Sequence, residues 1–302
     1  MPRAVFHRAS AFVAVAAAVA LVNTATGYAA GDEAVAALQV ALHARELYKG
    51  PIDGVLGPQT AVAVRRLQRR ARLPVDGVVG PRTRRALGRL GRHPLGSRIL
   101  EHRAVGWDVA SLQFLLAWHG FPSGVFDGVL GDRTATALRR FQAWAGLPPD
   151  GRAGTATLTA LRAPPAVSPI TLAWPLRAEV GDRFGPRGRR FHSGIDLPAP
   201  PRTPVAAAGA GCVVWAGWHR GGWGKLVTIA HGRGVRSMYA HLSRVDVRVG
   251  ECIAAGFWVG LVGSTGHSTG PHLHFELRLR GAAIDPLTAL RPASWPPTLL
   301  PE

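Results

Sequence analysis

Apolar residues in the first half of the chain recur three and four positions apart, the spacing of a helix that buries one stripe. The stripe positions are Val35, Leu38 and Leu42 in a first helix, and Ala61, Val64 and Leu67 in a second. A third short segment ends near Leu87. About 55 residues suffice for a small bundle, so the pattern predicts a compact three-helix module.

The same pattern occurs twice, because residues 35–87 and 109–161 align without a gap at an offset of 74. Both copies contain a Leu-Gln pair and two Asp-Gly pairs, and each Asp-Gly pair begins the pattern Asp-Gly-x-x-Gly-x-x-Thr. Asp-Gly suits a tight turn, because Gly tolerates positive φ and Asp accepts a hydrogen bond from nearby backbone. Pro58 suits the first position of the second helix. We therefore expect two similar all-α modules.

From about residue 171 the helical spacing disappears, glycine becomes frequent, and short β-favouring runs alternate with turns. The predicted strands are 212–216, 226–230, 235–239, 258–262 and 273–279. Such runs predict an antiparallel β domain. The expected fold class is therefore multidomain α+β, with two small three-helix modules followed by an antiparallel all-β domain.

Charge and the N-terminus restrict the partners. Lys plus Arg number 36 against 18 Asp plus Glu, and nearly all the positive charge is arginine. This balance indicates nucleic acid, anionic lipid or an anionic wall polymer, unless it reflects only an arginine-favouring genome. Arg3 and Arg8 precede the apolar run 11–22, and small residues follow, which predicts a secretory signal cleaved after Ala29 or Ala30.

An uncleaved anchor is the alternative, although a span needs about 20 apolar residues. Export to the cell exterior excludes genomic nucleic acid as a partner, and no later run is long enough for stable membrane insertion. The expected boundaries are a signal peptide at 1–30, modules at 31–91 and 105–162, linkers at 92–104 and 163–170, the β domain at 171–291 and a tail at 292–302.

Cys212 and Cys252 are the only cysteines. In an exported protein they either form a disulfide or remain as two small buried residues. Their spacing does not fit a C-x-x-C metal pair.

Histidines cluster in the β domain, in three short motifs. These are His192-Ser-Gly-Ile-Asp196, Tyr239-Ala-His241-Leu and His272-Leu-His274-Phe-Glu276. Residues i and i+2 of a strand share a face, so His272 and His274 point into the same cleft. Two imidazoles with a nearby carboxylate are the donors that zinc favours. His192 and Asp196 supply the missing donors from another segment, and Glu276 is a candidate to orient an imidazole.

Two family resemblances follow from these residues. The Leu-Gln and Asp-Gly-x-x-Gly-x-x-Thr pattern of both copies resembles the peptidoglycan-binding domain of wall hydrolases. The three histidine motifs, with Arg-Phe-Gly-Pro-Arg before them, resemble the lysostaphin/LytM-type zinc metallopeptidases over about residues 181–286. That resemblance implies Zn²⁺ bound by His192, Asp196 and His274, with His241 and His272 as catalytic residues.

Together these resemblances imply a secreted, wall-associated zinc endopeptidase that cuts peptide stems or cross-links of peptidoglycan. Anionic wall polymers are further expected partners, and tandem modules gain avidity through effective concentration. The alternatives are a noncatalytic wall-binding protein or hydrolase regulator, and a peptidase acting on nonwall protein. The scissile bond stays open among D-alanyl–diaminopimelate, a stem-peptide bond and a glycine bridge.

Overall fold

The computed structural model describes residues 31–291, so the expected signal peptide and tail lie outside the described residues. The helices come first: α1 Glu33–His43, α2 Pro58–Arg70, α3 Pro81–Ala86, α4 Trp107–Trp118, α5 Asp132–Trp144 and α6 Thr155–Arg162. The strands follow: β1 Gly185–Arg187, β2 Arg190–His192, β3 Ile195–Pro198, β4 Pro204–Ala206, β5 Gly211–His219, β6 Gly224–Ala230, β7 Val235–Leu242, β8 Arg244–Val245, β9 Cys252–Ile253, β10 Trp258–Leu261, β11 His272–Leu279 and β12 Ala282–Ile284. The α+β fold class is confirmed.

Each repeat folds as three helices, α1–α3 and α4–α6, and the first helices of the two repeats pack against each other. Helix α1 begins after Asp32, whose carboxylate accepts hydrogen bonds from the next free backbone N–H groups. Helices α2 and α3 each begin with proline directly after glycine, as the Gly-Pro pairs predict.

One buried glutamine fixes each Asp-Gly turn. The Gln39 amide donates to Asp53 Oδ1 at 2.6 Å and to the Val55 carbonyl at 3.1 Å, while its oxygen accepts from Gly54 N at 2.9 Å. The arrangement recurs around three further glutamines, which are Gln68, Gln113 and Gln142. The repeated Gln and Asp-Gly positions are thus explained by the fold, because each turn depends on its glutamine for hydrogen bonds.

The β domain is built on an antiparallel sheet in the order β12-β11-β7-β6-β5-β9, and β3 pairs with β11. A small sheet, β4-β10-β8, and the β1–β2 hairpin complete it. The five predicted runs correspond to β5, β6, β7, β10 and β11. The missed strands are two to four residues long, too short for alternation to show. Cys212 and Cys252 face each other on β5 and β9 and form a disulfide.

The modules pack tightly against the β domain, which the sequence patterns did not predict. Phe184, Phe191 and Ala283 of the β domain join the hydrophobic core that the two modules share. The expected linker 92–104 packs against the second module. Leu100 is fully buried, and its backbone exchanges hydrogen bonds with that of Ala153. Contacts between segments distant in sequence carry no local periodicity, so the sequence patterns could not show these contacts.

Candidate active site

Pairing of β3 with β11 brings the proposed metal ligands together. Asp196 lies directly opposite His274 in the register, and His192 ends β2 four residues earlier. Glycine is required between them, because a Cβ at Gly194 would lie 2.4 Å from the Phe275 carbonyl oxygen and 3.0 Å from the His274 ring. The His-x-Gly-x-Asp spacing therefore follows from a backbone that must lie close to β11.

Three donor atoms converge at this point. His192 Nε2 lies 3.1 Å from Asp196 Oδ1 and 3.0 Å from His274 Nδ1, and His274 Nδ1 lies 2.8 Å from Asp196 Oδ1. Donors about 2.0–2.1 Å from one tetrahedral zinc ion would be separated by about 3.3 Å, so the observed spacing fits within a few tenths of an ångström.

The other faces of the two rings show which nitrogens hold the lone pairs. His192 Nδ1 lies 2.9 Å from the Arg183 carbonyl, so Nδ1 carries the proton and Nε2 presents a lone pair. His274 Nε2 faces Glu276 Oε2 at 3.7 Å, which favours the proton there and a lone pair on Nδ1. Two lone pairs and a carboxylate oxygen then point at each other without an intervening proton, an arrangement that a cation would stabilise.

The electrostatics agree with an ionised carboxylate at the centre. Without a cation, burial raises the pKa of Asp196, but a proton on the imidazole of His192 or His274, donated to the carboxylate as a hydrogen bond, outweighs burial and holds that pKa far below its usual range. Burial lowers the pKa of His274, yet Asp196 and Glu276 outweigh burial and raise it. Arg187 Nη1 binds the second carboxylate oxygen, Asp196 Oδ2, at 3.0 Å and Asp182 at 2.9 Å.

His241 and His272 stand beside the converging donors, with their rings 4.9 Å apart. His241 Nδ1 lies 2.7 Å from the Thr265 carbonyl, and His272 Nδ1 lies 2.8 Å from the Gly270 carbonyl. Both rings therefore carry a proton on Nδ1 and keep a lone pair on Nε2, ready to accept a proton. Burial lowers the pKa of His241 to about 4, so its ring is neutral at pH 7.

These groups line an open cleft of about 430 Å³. The loop 267–271 lines this cleft, and so do Gly181, Asp182 and Arg187. The Trp223 ring lies 5.1 Å from that of His274, whereas Trp215 and Trp218 are exposed on β5. An open cleft with two imidazoles beside a cation site has the shape and chemistry for hydrolysis of an extended chain.

Four of the five sequence-predicted site residues line this cleft: Asp196, His241, His272 and His274. The fifth, His192, is buried next to it, with Nε2 3.1 Å from Asp196 Oδ1. Two further residues of the cleft were not among the predicted site residues. Arg187 pairs with Asp196, and its position in Arg-Phe-Gly-Pro-Arg was the available signal. His267 is exposed and also lines the cleft.

Comparison with known proteins matches both halves of the chain. Residues 190–286 match the sequence model of peptidase family M23, and residues 31–87 and 106–161 match that of a putative peptidoglycan binding domain. Both resemblances inferred from the motifs are thereby confirmed. Within the described residues, no helix is long and apolar enough to cross a membrane.

The relatives share only part of their length with this chain. A DD-carboxypeptidase/endopeptidase Mpg of Neisseria meningitidis serogroup B is 45% identical over 103 residues, which are 34% of this chain and 24% of that protein. Lysostaphin of Staphylococcus simulans is 36% identical over 146 residues, 45% of this chain and 29% of that protein. The solved catalytic domain of that lysostaphin is 36% identical and covers 36% of this chain and 90% of its own, with a TM-score of 0.35.

Proposed function

We propose that this chain, which carries a peptidase family M23 domain behind two peptidoglycan-binding domains, is a zinc endopeptidase that acts outside the cytoplasm. Its substrate is the peptide part of bacterial peptidoglycan, and the modules hold it on the wall. The observation that carries the proposal is the convergence of His192 Nε2, Asp196 Oδ1 and His274 Nδ1 beside two further imidazoles.

In this proposal His192, Asp196 and His274 would hold zinc. A zinc ion bound by them would lower the pKa of a coordinated water and polarise the substrate carbonyl. His241 and His272 accept the proton released during attack and return it to the leaving amine. Their Nδ1–H contacts with backbone carbonyls fix both rings, so neither must reorient during the reaction.

Arg187 and the cleft walls have a separate role in this proposal. The guanidinium holds Asp196 Oδ2, which leaves Oδ1 as the donor toward the metal. Asp182 and Arg187 also give one wall a carboxylate beside a guanidinium. The wall therefore offers both charges to the amine and carboxylate groups of a stem peptide.

Digestion of purified peptidoglycan, with the released fragments identified by mass spectrometry, tests the function and identifies the bond. We expect release that stops with a chelator, returns with zinc, and is absent in His274→Ala. His102→Ala, a histidine removal in the segment between the modules and outside the cleft lining, is the matched control and should retain release. Unchanged release from chelated protein and from His274→Ala would refute the zinc mechanism. Wall binding without release in the wild type would indicate a noncatalytic protein.

A further inference from the structure

The two repeats differ at positions where the second contacts the β domain. When the repeats are aligned at their offset of 74, three residues of the second repeat occupy positions at which the first has a small or charged residue. The pairs are Trp118 for Ala44, Gly120 for Glu46, and Trp144 for Arg70. Each of these three residues of the second repeat meets the β domain, so these differences lie on the surface of contact with that domain.

Trp118 packs on Phe184, which directly precedes β1, and on Phe191, which lies within β2. Its ring lies 5.3 Å from Phe191 and 6.1 Å from Phe184, both edge-on, and the two phenylalanine rings are 4.9 Å apart. Trp118 is 6% exposed and Phe184 is 5% exposed. Edge-on aromatic pairs of this kind stabilise beyond their buried area, so the base of the hairpin is held firmly.

Both repeats hold the turn of the same hairpin through their backbones. Ile52 N donates to the Gly188 carbonyl at 2.9 Å, and Phe126 N donates to the Arg189 carbonyl at 2.9 Å. Ile52 and Phe126 are 74 residues apart and therefore occupy equivalent positions in the two repeats. The paired modules thus present two equivalent donors to two consecutive carbonyls of the turn.

Gly120 allows the second repeat to approach β12. A Cβ at Gly120 would lie 2.1 Å from the Ala283 carbonyl oxygen and 2.4 Å from Ala283 N. The turn itself does not demand glycine, because Glu46 has the same positive φ in the first repeat, 60° against 84°. Trp144 adds a hydrogen bond from Nε1 to the Leu279 carbonyl at 3.2 Å, at the end of β11.

The held hairpin carries part of the active site. Strand β2 ends at His192, and Arg187 on β1 binds Asp196. We propose that the second repeat is a clamp that positions the β1–β2 hairpin, and with it His192 and Arg187, for metal binding. Trp118 and Gly120 are then positioning residues. The catalytic consequence rests on the proposed function, whereas the positioning itself does not.

Gly120→Glu tests the clamp, because it installs the residue that the first repeat already accommodates at this turn. The matched control is Gly146→Arg, which likewise installs its first-repeat equivalent, Arg72, at positive φ. A Cβ at Gly146 would meet nothing within 4 Å. Both variants are made in the full chain. Hydrogen exchange of residues 185–192 and Co²⁺ affinity, followed by the visible spectrum of the bound ion, are compared with the wild type.

We expect faster exchange in the hairpin and about tenfold or more weaker Co²⁺ binding in Gly120→Glu, and neither change in Gly146→Arg. Hydrolysis of a soluble peptide too short to engage the modules should lose kcat with little change in KM. Faster exchange with unchanged Co²⁺ affinity would show that the second repeat holds the hairpin without positioning the metal ligands, and it would overturn the proposal. Unchanged exchange in Gly120→Glu would overturn it as well.

Trp118→Ala and Trp118→Phe provide a second route if Gly120→Glu does not fold. Trp118 Nε1 is buried without a hydrogen-bond partner among the described residues, so phenylalanine keeps the ring contacts and loses no bond. Trp118→Ala should show fast exchange and weak Co²⁺ binding, and Trp118→Phe should restore both. Equal behaviour of the two variants would contradict the clamp. A wild type without peptidase activity would refute the proposed function and leave the exchange and Co²⁺ results to decide the clamp.

Discussion

Replacing Glu276 with glutamine tests whether this buried carboxylate orients His274. Glu276 is fully buried; Oε1 accepts from Arg278 Nε at 2.8 Å, and Oε2 lies 3.7 Å from His274 Nε2. Oε2 has no hydrogen-bond partner among the described residues. Glutamine has the same shape without the charge, so the change removes the attraction for the imidazole proton and little else.

Two contributions of opposite sign set the expected magnitude. Loss of a carboxylate that orients a metal-binding imidazole costs about 10- to 100-fold in metal affinity. The metal-free Glu276→Gln protein no longer buries a charge that has one unpartnered oxygen, which favours folding. This gain offsets the loss of the ion pair with Arg278. The Arg278 side chain is 29% exposed and can turn to water. We therefore expect the free energy of unfolding of the metal-free protein to change by less than about 1 kcal/mol.

The assay separates these two quantities. Zinc affinity is measured by competition with a chelator, and stability by urea unfolding of the metal-free protein. Glu251→Gln is the matched control: Glu251 is exposed, caps the backbone N–H of Arg248 and lies far from the cleft motifs in the sequence. It should change neither affinity nor activity.

Wild-type zinc affinity in Glu276→Gln would refute an orienting role for this carboxylate. A loss of more than about 3 kcal/mol in metal-free stability would instead show that Glu276 mainly supports the fold.

Three further outcomes are expected. The double variant Cys212→Ser/Cys252→Ser should lose up to about 4 kcal/mol of unfolding free energy, because the disulfide closes a loop across a 40-residue separation. Peptide hydrolysis should persist, and a stability equal to that of the wild type would contradict the prediction. The metal-free protein should lose stability as pH falls from about 6.5 to 4, because burial lowers the pKa of His241 in the folded protein to about 4 and the unfolded chain therefore binds the proton first. The loss should be smaller in His241→Gln, and an equal dependence of unfolding free energy on pH in both proteins would contradict this. Gln142→Leu should cost about 3 kcal/mol in urea unfolding, because Gly151 N and a neighbouring carbonyl lose their buried partner.

Much of the site was predictable because its information is local. Strand alternation placed His272 and His274 on one face, and the structure has them there. Gly194 in the His-x-Gly-x-Asp motif is required because the backbone there lies close to β11, so the motif records a tertiary contact in the local sequence. The two modules were equally predictable, because each Asp-Gly turn keeps its own glutamine within 15 residues.

The contacts between modules and β domain were not predictable from periodicity. Strands β1 and β2 have three residues each, too few for alternation to show that Arg187 would meet Asp196. Trp118 lies in a largely apolar helix whose pattern does not tell which element covers its side chain. Comparison of the two repeats gave a partial signal, because Trp118 and Gly120 are among the positions at which they differ.

Three features of the cleft cost stability, and each has a use in the proposed hydrolysis. His241 adopts φ of 62°, a strained conformation for a residue with a Cβ, and its ring lies 5.9 Å from that of His274. Glu276 is a buried carboxylate with one oxygen unpartnered among the described residues. His192 Nε2 and His274 Nδ1 converge on Asp196 Oδ1, and in the neutral tautomers inferred above both nitrogens present lone pairs to the carboxylate. A single bound cation would turn this last contact into an attraction, so a cost of this kind is expected at a functional site.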